Sequence, residues 1–326
     1  MEVVTTKKLH LFAGRHSRVL AEAIAERLGE PVTEAHLSQF SSGETHCRFS
    51  ESVRGSDVFI VQSHAELEGR SVNDAIMEQL IMVDAARRAS AKRITAVMPF
   101  YGYSRQDRKS EGREPITARL VADLFSVAGA SRLVSVDLHS GQIQGFFNGP
   151  VDHLTAMPVL IDRLRTMGDD LVVVSPDAGR VKVAERYSQH LGADLAIVHK
   201  RRLSGQKNLV EVKDVIGEVD GRQCVLIDDM IDTAGTICQA AELLVDRGAS
   251  SVVAAATHGV FSGPAIDRLK NSVLDKVIVT DTVPLEEEKE FDKLEVVTAA
   301  GIVADAVRAV FEDTSVSRIF NGENQN

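Results

Sequence analysis

The sequence predicts an α/β fold made of two similar domains, each a mainly parallel sheet flanked by helices. Three observations carry that reading. Short apolar runs alternate with helix-period segments from end to end. The same order of elements recurs in two halves. The polar stretches that could carry chemistry follow apolar runs directly, as loops do at the carboxyl ends of parallel strands.

The elements follow in order. "LHLFAG" from Leu9 reads as a strand, and "SRVLAEAIAERLG" as a helix closed by Gly29. "DVFIVQS" is a strand and "DAIMEQLIMVDAARRA" a helix. "RITAVMPF" and "RLVSVD" add two more strands. Further on, "LVVVSPD", "LAIVHK", "CVLIDD", "SVVAAATHG" and "KVIVTD" read as strands. Residues 57–100 run strand, loop, helix, strand, ending "RRASAKRITAVMPF"; residues 223–261 repeat that order, ending "DRGASSVVAAATHGVF". The halves are expected to meet near residue 150, around "FFNGPVDHLTAMP". One domain is expected over 1–150, a second over 151–310, and a C-terminal segment over 311–326 whose tail "RIFNGENQN" is partly disordered.

The 326 residues leave room for two domains, and 44% hydrophobic with 26% charged content is that of an ordinary globular protein. The net charge of −10, from 37 basic and 47 acidic residues, argues against broad nucleic-acid binding. Any phosphate site must then be a local basic focus. Cys47, Cys224 and Cys238 form no C-x-x-C, which fits a reducing compartment and suggests no zinc site. No apolar run approaches roughly 18 residues, and the first residues lack a signal-peptide core. A cytoplasmic protein with no membrane partner is expected.

The most informative stretch is "VLIDDMIDTAGTI", Val225 to Ile237. A buried strand leads through an acidic loop to an amphipathic helix, "ICQAAELLVDRG", with Ile237, Ala241, Leu244 and Val245 on one face. The unsatisfied N–H groups and positive dipole end of a helix N-terminus favour an anion. Ala234 and Gly235 allow close backbone approach, and Thr233 and Thr236 add hydroxyls. Asp228 and Asp229 cannot hold phosphate; they suit sugar hydroxyls or a hard cation such as Mg2+. A phosphorylated sugar satisfies both halves of the motif. The first half of the chain has only "SHAELEGRSVND" at the equivalent place, so the sugar phosphate is expected in the second domain alone.

Five polar stretches follow strands: "YGYSRQDRKSEGRE", "LHSGQIQGFF", "PDAGR", "HKRRLSGQK" and "DDMIDTAGT". Together they suggest one composite site. Arg105, Lys200 and Arg202 can neutralise a polyphosphate. His139 and Asp177 can hold Mg2+ or its waters. Taken singly, His139 also reads as a structural histidine and the basic run as a solvated face. No nucleophile–base arrangement is evident, and no G-x-x-x-x-G-K-[ST] is present, so an ATP site would not be of the P-loop type.

These residues resemble a known family. "VLIDDMIDTAGTI" resembles the ribose-5-phosphate loop of the type I phosphoribosyltransferase fold. "YSRQDRKSEGREPITARL", "VDLHSGQIQGFFNGPVDHL" and "VVVSPDAG" closely resemble the PRPP synthetases, and the likeness runs from "LHLFAG" to "SVSRIF". The resemblance implies transfer of the β,γ-diphosphoryl group of ATP to the 1-hydroxyl of ribose 5-phosphate, giving PRPP and AMP. It implies that Arg105, Gln106 and Asp107 belong to the ATP site and that His139 and Asp177 bind Mg2+. Lys200 and Arg202 would face the transferred group. Arg202, Asp228, Asp229 and Asp232 to Thr236 would hold ribose 5-phosphate. The family's adenine site is completed by a neighbouring subunit through a segment matching Phe40, Ser42, Gly43 and Glu44, within a homohexamer. Ser42 departs from the usual Asp or Asn. Phosphate and ADP act as effectors in the common class, at positions matching Ser52, Arg54, Arg113, Ser315 and Ser317. Two other readings are a phosphoribosyltransferase that consumes PRPP and a catalytically silent regulatory paralogue. The "SRQDR" stretch and the duplicated domain count against the first, and the intact basic loop and metal residues count against the second.

Overall fold

A computed structural model describes residues 7–168, 170–202 and 211–320, with the backbone alone described at 200–202 and 211–213. In chain order the first elements are β1 (Leu9–Ala13), α1 (Arg18–Leu28), β2 (Val32–Thr33), β3 (Ala35–Gln39), β4 (Thr45–Phe49), β5 (Asp57–Val61), α2 (Val72–Arg88), β6 (Arg93–Met98), α3 (Thr117–Ala128), β7 (Arg132–Val136) and β8 (Val151–Leu154). There follow α4 (Met157–Arg165), β9 (Leu171–Ser175), α5 (Val181–Leu191), β10 (Asp194–Arg202), β11 (Glu211–Ile216), β12 (Gln223–Ile231), α6 (Gly235–Asp246), β13 (Ser251–Gly259), α7 (Ala265–Asn271), β14 (Lys276–Thr280), β15 (Leu294–Val297) and α8 (Ala300–Phe311).

The chain divides into two compact units: residues 1–155, 282–284 and 298–326, and residues 156–281 and 285–297. Unit one holds a six-stranded sheet in the order β2-β1-β5-β6-β7-β8, parallel throughout. Unit two holds a seven-stranded sheet, β11-β10-β9-β12-β13-β14-β15, parallel except for the β10–β11 pair. The central strands are apolar runs because helices cover both faces of a parallel sheet. Every residue of β5 and of β9 is buried.

The two orders correspond. In each unit the first strand lies inside the sheet, the second lies on one side of it (with antiparallel β11 beyond it in unit two), and the remaining parallel strands of the sheet build outward on the other. β1 thus matches β9, β5 matches β12, and β6 and β7 match β13 and β14. The direction reverses beside β1 in one unit and beside β9 in the other. Such switch points leave a crevice at the strand ends.

The expected second domain ended at residue 310, yet α8 groups with unit one. Its apolar residues Ile302, Val303, Ala306, Val307 and Val310 are buried, and it packs on α1 and β8. Arg308 Nη2 donates to the Arg27 carbonyl at 2.8 Å. Residues Val316–Phe320 form a 3-10 turn with Phe320 buried; the last six residues lie outside the described residues. The α6 face also differs from expectation. Ile237, Cys238, Ala240, Ala241 and Leu244 are buried, while Val245 is 41% exposed.

A buried polar relay fixes the loop after β6. Gln79 Nε2 donates to the carbonyls of Ile60 and Val97 at 2.8 and 3.1 Å. Its Oε1 lies 2.8 Å from His64 Nε2, and the Gly102 N–H donates to His64 Nδ1 at 3.1 Å. Nδ1 is therefore an acceptor and Nε2 carries the proton, the neutral tautomer. Gly102 is required by space, because a Cβ there would come within 2.7 Å of His64 Cβ. Burial lowers the His64 pKa from 6.5 to about 4. A histidine held neutral in the fold binds its proton more readily in the unfolded chain. Its contribution is thus complete above about pH 6.5 and is lost as pH falls toward 4, on the order of 3 kcal/mol. Thermal melts should therefore show stability falling over this window in the parent. His64→Gln should flatten that fall; an identical pH profile in the variant would refute the assignment.

Candidate active site

Unit two delivers three polar stretches from neighbouring strands. β9 lies between β10 and β12 and runs parallel to both, so Asp177 just past β9 and Lys200 and Asp228 in the carboxyl-terminal parts of β10 and β12 come to one edge. β12 is longer than the sequence suggests. It continues through Asp228 and Asp229 to Ile231 and pairs with β13 beyond the acidic pair. The loop proper is only Asp232 to Ala234. Its base is anchored where the N–H groups of Val260 and Phe261 donate to the Ile231 carbonyl at 3.0 and 3.1 Å, and that of Ser262 to the Asp232 carbonyl at 3.0 Å.

Ala234 is the N-cap of α6 in the left-handed conformation (φ 60°), and no side chain caps this helix. The left-handed region costs an L-residue about 1–2 kcal/mol, and such outliers gather where geometry is over-determined. Thr233 and Thr236 are exposed. Gly235 has ordinary backbone angles, and its missing Cβ makes room for an arginine: a Cβ would lie 3.3 Å from Arg268 Nη1. That same Nη1, from α7, donates to the Thr233 carbonyl at 2.9 Å. Arg268 therefore orients the loop peptide from behind. Sequence reading missed it because it lies 35 residues away on an unremarked helix.

The matching helix in unit one is finished differently. α2 carries a full capping box: Ser71 Oγ accepts from the Asp74 N–H, and the Asp74 carboxylate accepts from the Ser71 N–H at 2.8 Å. The crevice between β1 and β5 is filled. Gln62 Oε1 accepts from the His16 N–H at 3.1 Å, Gln62 Nε2 donates to Glu78 Oε1 at 2.9 Å, and Arg15 pairs with Glu78. A Cβ on Gly14 would sit 2.3 Å from Gln62 Oε1.

Around the acidic pair, Asp177 caps its own turn, its Oδ1 accepting from the N–H groups of Gly179 (2.7 Å) and Arg180 (3.2 Å). This aims the Arg180 side chain at β12. Arg180 Nε lies 3.1 Å from Asp228 Oδ1, and Nη2 lies 2.5 Å from Asp229 Oδ1. Burial, and then the adjacent Asp229 charge, push the Asp228 carboxyl upward against the pull of Arg180. In sequence Arg180 looked like the last letter of a turn; no local signal marked it.

In unit one, "YGYSRQDR" and "LHSGQIQG" leave the adjacent strands β6 and β7. They touch: Gln142 Nε2 donates to Asp107 Oδ2 at 2.7 Å. Gln106 is tied to α3, its side chain meeting Thr117 and its carbonyl accepting from the Ala118 N–H at 3.1 Å. Arg105 is exposed and His139 half-buried. Tyr103 and Asp137, which flank these stretches, both have positive φ.

Residues Phe40 to Glu44 form the turn of the β3–β4 hairpin, a separate two-stranded sheet the sequence did not reveal. Gln39 Nε2 donates to the Gly43 carbonyl and Ser42 Oγ to Glu44 Oε2, both at 2.7 Å. Ser42 thus holds the Glu44 carboxylate in place. Phe40 is 58% exposed, in edge contact with His46. Ser52, Arg54, Arg113, Ser315 and Ser317 are all exposed in unit one. The side chains of Lys200 and Arg202 lie outside the described residues.

Among the described residues no three His, Cys, Asp or Glu side chains form a metal-sized cluster, and no helix is long and apolar enough to cross a membrane.

Comparison with known proteins gives one answer. Residues 9–129 match the N-terminal domain of ribose phosphate pyrophosphokinase, and residues 206–321 the phosphoribosyl synthetase-associated domain. A ribose-phosphate pyrophosphokinase of Streptomyces avermitilis is 54% identical over 317 residues, covering 97% of each chain. Its counterpart in Bifidobacterium longum is 55% identical over 320 residues, covering 97% of this chain and 93% of its own. The crystal structure of phosphoribosylpyrophosphate synthetase from Mycobacterium smegmatis superposes with a TM-score of 0.88 at 51% identity, covering 94% of this chain and 100% of that one. With that likeness running through both units, the chain belongs to the ribose-phosphate pyrophosphokinase family.

Proposed function

We infer that the enzyme transfers the β,γ-diphosphoryl group of ATP to the 1-hydroxyl of ribose 5-phosphate, releasing AMP and PRPP, and that the sugar phosphate binds unit two. The observation that carries the sugar site is the contrast between α2 and α6. At topologically equivalent places, α2 satisfies its first N–H groups with a capping box, whereas α6 begins at Ala234 with no side-chain cap. Uncapped N–H groups with the helix dipole behind them form an anion site. Thr233 and Thr236 add hydroxyls beside it. Asp228 and Asp229, at the end of the same strand, meet the ribose hydroxyls.

ATP is assigned to Arg105, Gln106 and Asp107, with the adenine against Phe40, Ser42, Gly43 and Glu44 of a neighbouring copy. The turn of an outlying hairpin with a largely exposed aromatic suits a surface completed by another chain. A homohexamer is the assembly proposed. His139 in unit one and Asp177 in unit two are the residues proposed as Mg2+ ligands; Asp177 Oδ2 takes no part in the turn cap. Mg2+ characteristically takes one or two protein ligands and completes its shell with phosphates and water, so a donor set of this size fits. When bound, it neutralises polyphosphate charge. Phosphate and ADP are assigned as effectors at Ser52, Arg54, Arg113, Ser315 and Ser317.

The reaction needs no covalent intermediate. The anomeric hydroxyl attacks the β-phosphorus in line and AMP leaves. The Asp228–Asp229 pair orients the ribose, the α6 N-terminus anchors the 5-phosphate, and Lys200 and Arg202 neutralise charge on the transferred group. Positioning and charge neutralisation dominate such transfers.

Incubation with ATP, Mg2+ and ribose 5-phosphate should give AMP and PRPP in equal amounts; ADP formation instead would contradict the assignment. Lys200→Ala should lower kcat about 100–1,000-fold with a smaller effect on KM, because its charge is needed mainly in the transition state. A raised KM at parental kcat would make Lys200 a binding residue only.

Subunit sharing has its own test. A Phe40→Ala chain mixed with a Lys200→Ala chain should regain activity once subunits exchange. No recovery despite demonstrated exchange would place each site within one chain.

A further inference from the structure

Resting on the sugar site just assigned, we propose that Arg180 is a positioning residue of that site: its guanidinium bridges Asp228 and Asp229 and holds both carboxylates in place for the sugar hydroxyls.

The geometry is specific. Arg180 leaves the turn after β9, and the two aspartates lie near the carboxyl end of β12, so the contact spans the switch point of unit two. One guanidinium serves two carboxylates, Nε toward Asp228 and Nη2 toward Asp229. All three side chains are largely withdrawn from solvent, at 16%, 21% and 9% exposure. Two adjacent carboxylates at that depth repel each other and lose solvation. The Arg180 guanidinium between them offsets that repulsion, and its rigid planar fork presents a separate N–H to each aspartate. Asp228 Oδ1 also accepts from the Asp229 N–H at 2.8 Å, which fixes the first carboxylate along the strand. The described contacts to Arg180 use the Oδ1 atom of each aspartate.

The turn that carries Arg180 is itself built by Asp177, whose Oδ1 accepts the Arg180 N–H. The stretch assigned to ATP, Arg105 to Asp107, follows β6 in unit one. The inference therefore separates the two substrates: Arg180 governs ribose 5-phosphate and leaves ATP alone. Charge-assisted bonds to a partly buried pair are strong enough that losing both should weaken sugar binding on the order of 10-fold to 100-fold.

The test compares Arg180→Gln, Arg180→Lys and Asp228→Asn by steady-state kinetics and melting curves. Arg180→Gln should raise KM for ribose 5-phosphate at least about tenfold while KM for ATP stays within about twofold. Arg180→Lys, which keeps the charge and loses the fork, should fall between parent and Arg180→Gln. A role in stability alone would lower the melting temperature without separating the two KM values. A parental KM for ribose 5-phosphate in Arg180→Gln, with a raised KM in Asp228→Asn, would overturn the proposal and leave the sugar site standing. Parental values in both variants would overturn the sugar site and the proposal with it. Should Arg180→Gln fail to fold, Arg180→Lys decides: a several-fold rise in the sugar KM alone supports the bridge, and a parental KM overturns it.

Discussion

The rest of the site depends on one set of groups, the backbone N–H donors at the start of α6. Peptide donors at a helix N-terminus must be satisfied by a side chain, by water or by a ligand. Here the N-cap is Ala234, which has nothing to offer them. The strand before it brings the acidic pair to the same place, and Arg268 holds the intervening peptide by its Thr233 carbonyl. In the proposed reading, the anion site and the sugar site are thus consecutive features of one strand–loop–helix unit.

The duplicated fold makes this informative. Both units have a switch point where such a crevice forms, and among the described residues the two are finished differently. In unit one the crevice is occupied by Gln62, Glu78 and Arg15, and the α2 donors are consumed by Ser71 and Asp74. Buried polar groups that satisfy one another rigidify a core, and here they also remove a second anion site. The His64 relay extends the same economy, with Gln79 and His64 fixing the backbone at Gly102, a few residues before Arg105. The loop proposed to bind ATP is therefore anchored at its root.

Much of this was legible in the sequence because its signals are local. Strands buried on both faces read as apolar runs, and β5, β9 and β12 were found for that reason. The internal repeat was visible as a recurring order of elements, and the topology matches it. Short strands with polar alternation were not legible: β3 and β4 read "AHLSQ" and "THCRF". Nor was the placement of α8, whose apolar residues could equally have packed on the unit preceding it; contact with α1, far away in sequence, decides it. Arg180 and Arg268 escaped for the same reason, since each acts on a carboxylate or carbonyl brought near by topology alone. Composition could only say that a phosphate site must be a local feature of an acidic chain.

The most direct measurement of the central claim puts an anion where the phosphate is placed. Thr236 is exposed at the second position of α6, where a carboxylate suits the helix dipole, so Thr236→Asp should fold normally while adding an anion at the first turn of α6. Calorimetric titration of this variant, with its melting curve as the control for folding, should find ribose 5-phosphate binding lost at parental thermal stability. Parental affinity for ribose 5-phosphate in a folded Thr236→Asp enzyme would contradict the account, because the 5-phosphate would then be held elsewhere.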